Sequence, residues 1–177
     1  MISRGVFTGI IYICKSKDTK MRISLICIGK TDDAEIKRLI AYYSQRLPKH
    51  FNFEFVEIPD VKNAKNLTDI QLKKEEAKLF LNYLDNTDTV VLLDEKGKQF
   101  TSREFAAKID NWMNMSTKHL AFLVGGAYGF ADEIYSRAQE KISLSKMTFT
   151  HQMIRLFFVE QIYRASTILQ GKPYHND

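Results

Sequence analysis

Two short apolar runs, Thr89–Leu93 (TVVLL) and His119–Val124 (HLAFLV), constrain the fold more than any other feature of the chain. A strand with one wet face alternates apolar and polar residues. A strand without alternation is covered on both faces, as in a parallel sheet between two layers of helices. The flanking segments supply such layers. Arg22–Ile28 (RISLICI) and Asn52–Ile58 read as further strands, the second closed by Pro59. Between them Asp32–Leu47 places Ile36, Leu39, Ile40, Tyr43 and Leu47 at helical spacing. Thr68 with Gln71, and Thr101 with Glu104, are capping boxes. They open helices running to about Leu84 and Met113. Asp94–Phe100 (DEKGKQF) reads as a loop, Ala131–Gln139 as a short helix and Ile142–Ser145 as a short strand. Thr150 caps a last helix, His151–Leu169, ended by Gly171 and Pro173. The order βαβαβαβ(α)βα predicts one α/β domain with a mainly parallel sheet and helices on both faces.

At 177 residues the chain is long enough for one real core, and 45% hydrophobic with 27% charged residues suits a globular protein. Of the net charge of +5, Arg4, Lys15, Lys17, Lys20 and Asp18 account for +3, leaving +2 for residues 21–177. So weak a charge does not announce nucleic-acid binding; any such site is a local patch. Cys14 and Cys27 sit in no CxxC and near no spaced histidines. That argues against zinc and suits a reducing, cytoplasmic setting. Val6–Cys14 is too short to span a bilayer and lacks a cleavage site, so no membrane anchorage is expected. Met21 stands directly before a good strand. Residues 1–20 are therefore expected to be an extension without a catalytic role, and residues 21–177 the working domain.

Ligands of parallel α/β sheets bind at the carboxyl ends of strands. Three such ends carry unusual residues: Leu93-Asp94-Glu95-Lys96-Gly97, Gly125–Phe130, and Leu144–Phe149 with His151 beyond. The glycine segment GGAYG is not a dinucleotide fingerprint. It lets backbone approach a ligand closely, and alone it reads equally as a tight turn. Ser145-Lys146-Met147-Thr148-Phe149 is either a plain connector or a backbone edge that reads a nucleobase. The last helix is apolar nearly all round, through Met153, Ile154, Leu156, Phe157, Phe158 and Val159, which suggests a subunit interface. Arg155 and Arg164 within it need acidic or phosphate partners. The terminus Lys172–Asp177 (KPYHND) carries an aromatic and a histidine, suited to stacking on a base or moving a proton, or else to capping the fold. No GxSxG, HExxH or phosphate-binding loop occurs, and no metal-ligand spacing.

Taken together, LLDEKGKQFTS (Leu92–Ser102), FLVGGAYGF (Phe122–Phe130), LSKMTFTHQMIRLFFVEQIYRA (Leu144–Ala165) and KPYHN (Lys172–Asn176) resemble the SPOUT knotted methyltransferases. The likeness is to their minimal members, the ribosomal RNA large-subunit methyltransferase H group. It spans about Met21 to Asp177, and the four pieces in order are far more specific than any one. The resemblance implies a C-terminal trefoil knot, a homodimer and S-adenosylmethionine as methyl donor. It also implies methylation at N3 of a pseudouridine in helix 69 of 23S rRNA on assembled ribosomes. By the same likeness the donor is held by Leu93, Gly125, Leu144, Ser145, Lys146, Met147, Thr148 and Phe149. The chain departs from the pattern at Thr150, where proline is expected, and at Asn176, where a basic residue is expected.

A sulfonium methyl is already electrophilic, so the reaction needs neither metal nor covalent intermediate. It needs in-line alignment and help in removing the N3 proton. His151, Arg155, Tyr174 and His175 are the candidates for that help, and Lys62, Lys65, Lys73, Lys74 and Arg155 for phosphate contacts. Two other readings stay open at this level: a SPOUT-type enzyme acting on tRNA or a ribose 2′-OH, and a non-catalytic ribosome-binding factor.

Overall fold

A computed structural model describes residues 12–13, 21–115 and 117–174. The expected extension over residues 1–20 therefore lies outside the described residues apart from the backbone of Tyr12–Ile13. So does the candidate His175. The elements run β1 (Tyr12–Ile13), β2 (Arg22–Ile28), α1 (Ala34–Arg46), β3 (Phe53–Ile58), α2 (Asp69–Tyr83) and β4 (Thr89–Lys98). They continue through α3 (Ser102–Asn114), β5 (His119–Val124), α4 (Asp132–Arg137), β6 (Glu140–Ile142) and α5 (His151–Leu169). The sheet order is β1-β3-β2-β5-β4-β6. The β1–β3 pair is antiparallel and every other pair parallel.

The two-sided burial expected of TVVLL and HLAFLV follows from strand alternation. Val91, Leu93, Leu120, Phe122 and Val124 join Ile40 of α1, Phe105 and Ile109 of α3 and Phe158 and Ile162 of α5 in one core layer. Val90, Leu92, Ala121 and Leu123 point the other way, onto Ala77 and Phe80 of α2 and Ile134 of α4. In the first layer the Phe122 and Phe158 rings lie 4.5 Å apart, with Phe105 edge-on to both. Cys27 is fully buried there, and burial pushes its thiol up to about 12, making it an inert core residue. Both capping boxes form, at Thr68–Gln71 and Thr101–Glu104.

Three boundaries differ from the sequence reading. The DEKGKQF segment is not a free loop, because β4 continues to Lys98. Leu93 and Lys98 both pair with Ile142, so residues 94–97 bulge outward between them. Gly97 permits this closure; a Cβ there would sit 2.5 Å from the Ile142 carbonyl carbon. The short helix stops at Arg137 because Gln139 already pairs with β4, through Gln139 N–H to Val90 C=O at 2.9 Å. Strand β6 accordingly occupies 140–142 rather than 142–145.

At the amino ends of the strands, opposite the bulge, Ser24, His119 and Asp88 form a buried relay. His119 Nε2 lies 2.9 Å from Ser24 Oγ and Nδ1 lies 2.9 Å from Asp88 Oδ2. The three residues are 0%, 4% and 5% exposed, so the relay is a packing device and not a nucleophilic site. Burial, and then the Arg22 guanidinium beside it, hold the imidazole pKa below its ordinary value. A depressed histidine pKa contributes stability that is full above the unfolded value and is lost as pH falls. The loss on replacing His119, read by urea denaturation, should therefore be smaller at pH 5 than at pH 7.5. His119→Ala should cost roughly 2–3 kcal/mol at pH 7.5, because it orphans the buried Ser24 hydroxyl and leaves Asp88 only the Asp85 N–H as a donor. A midpoint shift worth less than about 0.5 kcal/mol would show that the relay does not support the fold.

Candidate active site

The carboxyl ends of β4, β5 and β6 surround one open groove of about 690 Å³. Its floor is Leu93, Val124 and Ile142, and its walls are the 94–96 bulge, the 125–130 turn and the 143–151 connector. The bulge is held from two sides. Asp94 accepts the Lys96 backbone N–H at 2.8 Å and the Tyr135 hydroxyl at 2.6 Å. Burial and the bond to Asp94 push the Tyr135 phenol up to about 12, so it stays a neutral donor. The glycine turn closes by a Gly126–Gly129 bridge, with Gly129 N–H donating to Gly126 C=O at 3.1 Å. Gly129 has φ +78°, a conformation that favours glycine.

The connector is braced by its own serines. Ser143 N–H donates to Lys98 C=O at 3.0 Å, and the Ser143 hydroxyl to Ser145 C=O at 2.7 Å. Ser145 Oγ in turn accepts the Met147 N–H at 3.0 Å. Thr150, where proline was expected, caps α5, its hydroxyl accepting the Met153 N–H at 3.2 Å. A smaller apolar pocket of about 200 Å³, lined by Phe100, Phe105, Leu144, Phe149 and Phe157, adjoins the groove.

Leu93, Gly125, Leu144, Ser145, Met147, Thr148 and Phe149 all line the groove, as does His151 at the start of α5. Lys146 is exposed and is not among the lining residues. Arg155 corrects the sequence reading. It is 1% exposed and its guanidinium is committed inward, to the carbonyls of Ile28 and Gly29 and the Thr31 hydroxyl. Glu57 lies 3.6 Å away. A side chain so enclosed meets neither phosphate nor a reacting base, so Arg155 leaves both lists. Tyr174 packs on Tyr163, with ring centroids 4.9 Å apart, below the Arg164 guanidinium, and its hydroxyl lies 3.2 Å from Glu160. That cluster lies some three turns along α5 from His151. Lys62, Lys65 and Lys74 are exposed and Lys73 is half-buried, in the loop and helix that follow the carboxyl end of β3. Sequence reasoning missed the Asp94–Tyr135 pair, which joins residues 41 positions apart.

A family model described as "Predicted SPOUT methyltransferase" matches residues 21–175. The chain belongs to the SPOUT methyltransferase family. It is thus a methyltransferase, and its SPOUT relatives match it over nearly their whole length. The ribosomal RNA large subunit methyltransferase H of Christiangramia forsetii is 56% identical over 156 residues, 88% of this chain and 99% of the relative. Proteins of the same name from Cytophaga hutchinsonii and Parabacteroides distasonis are each 53% identical, covering 88% and 89% of this chain and 100% of the relatives. No helix among the described residues is long and apolar enough to cross a membrane. Among the described residues no group of three or more His, Cys, Asp or Glu could hold a metal ion.

Proposed function

We propose that the protein methylates 23S rRNA, at N3 of a pseudouridine in helix 69 of assembled ribosomes, in the cytoplasm. The methyl donor is S-adenosylmethionine and the working unit is a homodimer. The observation that carries the donor assignment is the groove itself. Its size is that of a cofactor site. Its floor is apolar, as an adenine requires, and Asp94 and Glu95 put acidic groups on one wall, as a cationic donor requires. When bound, the donor supplies an electrophilic methyl group. Leu93, Gly125 and the 144–149 connector hold it against the sheet ends, Lys146 through its backbone only. His151 stands at the groove edge, where its imidazole takes the N3 proton. Tyr174 and His175 position the base, and Lys62, Lys65, Lys73 and Lys74 meet phosphate. Residues 1–20 lie outside the matched family region and take no part in catalysis.

The knot belongs to the same reading. After β6 at one sheet edge, the chain returns across the sheet so that α5 packs between α1 and α3. The homodimer is supported by apolar side chains left open beside the groove: Met147, Phe149 and Phe157 are 75%, 40% and 37% exposed. The test is nucleoside mass spectrometry of rRNA from a strain lacking the chain. N3-methylpseudouridine should vanish from 23S rRNA and return on complementation. The purified protein should then methylate 70S ribosomes but not tRNA or free rRNA. An unchanged nucleoside profile rejects the assignment.

A further inference from the structure

Glu76, on α2, is 8% exposed and lies directly beneath the glycine turn. A Cβ built on Gly126 would fall 2.4 Å from Glu76 Oε1 and 2.7 Å from Oε2, so the carboxylate fills the space beside Gly126 and would have to swing away from any larger residue. The Glu76 carboxylate lies against the Gly126 backbone, whose amide favours the charged form of the acid. The Gly126 carbonyl is already engaged by Gly129 N–H. The turn is therefore closed from within and faced from below by a side chain of the opposite helix layer. The upper surface of the same turn lines the groove. Asp60, exposed in the loop after β3, is the acidic group whose charge acts on Glu76.

We infer that Glu76 is a positioning residue: by holding the Gly126 amide from below, its ionised carboxylate sets the glycine turn in the shape that binds the methyl donor. A carboxylate accepts an N–H bond about twice as strongly as its neutral acid. Burial, reinforced by Asp60, raises the Glu76 pKa from its ordinary 4.5 to about 7. The clamp therefore loosens as pH falls through neutral, and donor affinity should fall with it. The inference rests on the reading that the groove holds S-adenosylmethionine.

Isothermal titration of the full-length protein with S-adenosylmethionine from pH 6 to pH 8.5 tests it. Wild-type Kd should tighten about tenfold across that range. Glu76→Gln keeps the volume but carries no charge. It should bind about tenfold more weakly at pH 8.5, with a flat profile, while turnover on ribosomes at saturating donor stays within about threefold. Asp60→Asn, at an exposed position, should leave the pH 8.5 affinity near wild type and shift the midpoint of the profile to lower pH. A purely structural role for Glu76 would not produce that shift. Wild-type affinity and profile in Glu76→Gln, or an unmoved midpoint in Asp60→Asn, would overturn the inference. No binding by the wild-type protein at any pH would instead reject the donor assignment itself.

Discussion

Arg155→Ala should cost about 3–5 kcal/mol of folding stability, the largest loss expected of any single polar substitution in this chain. The guanidinium donates to Ile28 C=O at 2.7 Å and, from its other terminal nitrogen, to Gly29 C=O and Thr31 Oγ1, each at 3.0 Å. It also offsets the charge of Glu57, whose carboxylate accepts the Thr31 N–H at 2.6 Å and is itself buried. One side chain of α5 thus ties together the carboxyl ends of β2 and β3 and the start of the following loop. Its removal leaves the buried Glu57 charge with only the Thr31 N–H and takes a donor from two carbonyls. Leaving a buried charge uncompensated is far more costly than never having built the pair. The double variant Arg155→Ala with Glu57→Gln should therefore recover part of the loss. Guanidinium denaturation measures both. A single-variant loss under 1 kcal/mol, or a double variant no better than the single, would show that the pair is not what holds α5 to the sheet.

Arg155 also shows where sequence reading stops. An arginine in an apolar helix has to be partnered, and the run from Met153 to Val159 makes its burial legible. The choice between phosphate and an internal acid was not legible, because Glu57 lies 98 positions away on another element. The layers were readable for a local reason: TVVLL and HLAFLV announce two-sided burial, and the Thr150 cap locates α5 at His151. The 94–97 bulge was not, since what closes it is the approach of Gly97 to the Ile142 backbone, a contact between β4 and a strand not yet made. The groove residues came from the resemblance, and the geometry then gathered them at adjacent strand ends. Glu76 gave no signal at all, because a glutamate within KKEEAK reads as a solvated helix face. Only the crossing of α2 beneath the glycine turn puts it to use.

Deleting residues 172–177 should lower ribosome methylation at least about 100-fold while leaving S-adenosylmethionine affinity within twofold. The argument is one of reach. Tyr174 is seated on Tyr163, which lies twelve residues, or about 18 Å, along α5 from His151. His175 follows Tyr174 directly and one residue spans at most about 3.6 Å, so with Tyr174 seated on Tyr163 the Tyr174–His175 pair does not reach His151 in its own subunit. If the tail acts in catalysis, it acts on the groove of a second copy. Co-expression of a tail-deleted chain with a Gly125→Asp chain, each inactive alone, discriminates the two arrangements. A site built from one groove and the other subunit's tail gives mixed dimers one intact site, and activity returns to a measurable fraction of wild type. A tail that serves its own groove gives mixed dimers none. Gly125 is the right position to block, because a side chain there meets the Gly129 backbone at 3.2 Å and the Phe130 ring at 3.3 Å, which disturbs the groove wall without touching the α5–Tyr174 cluster.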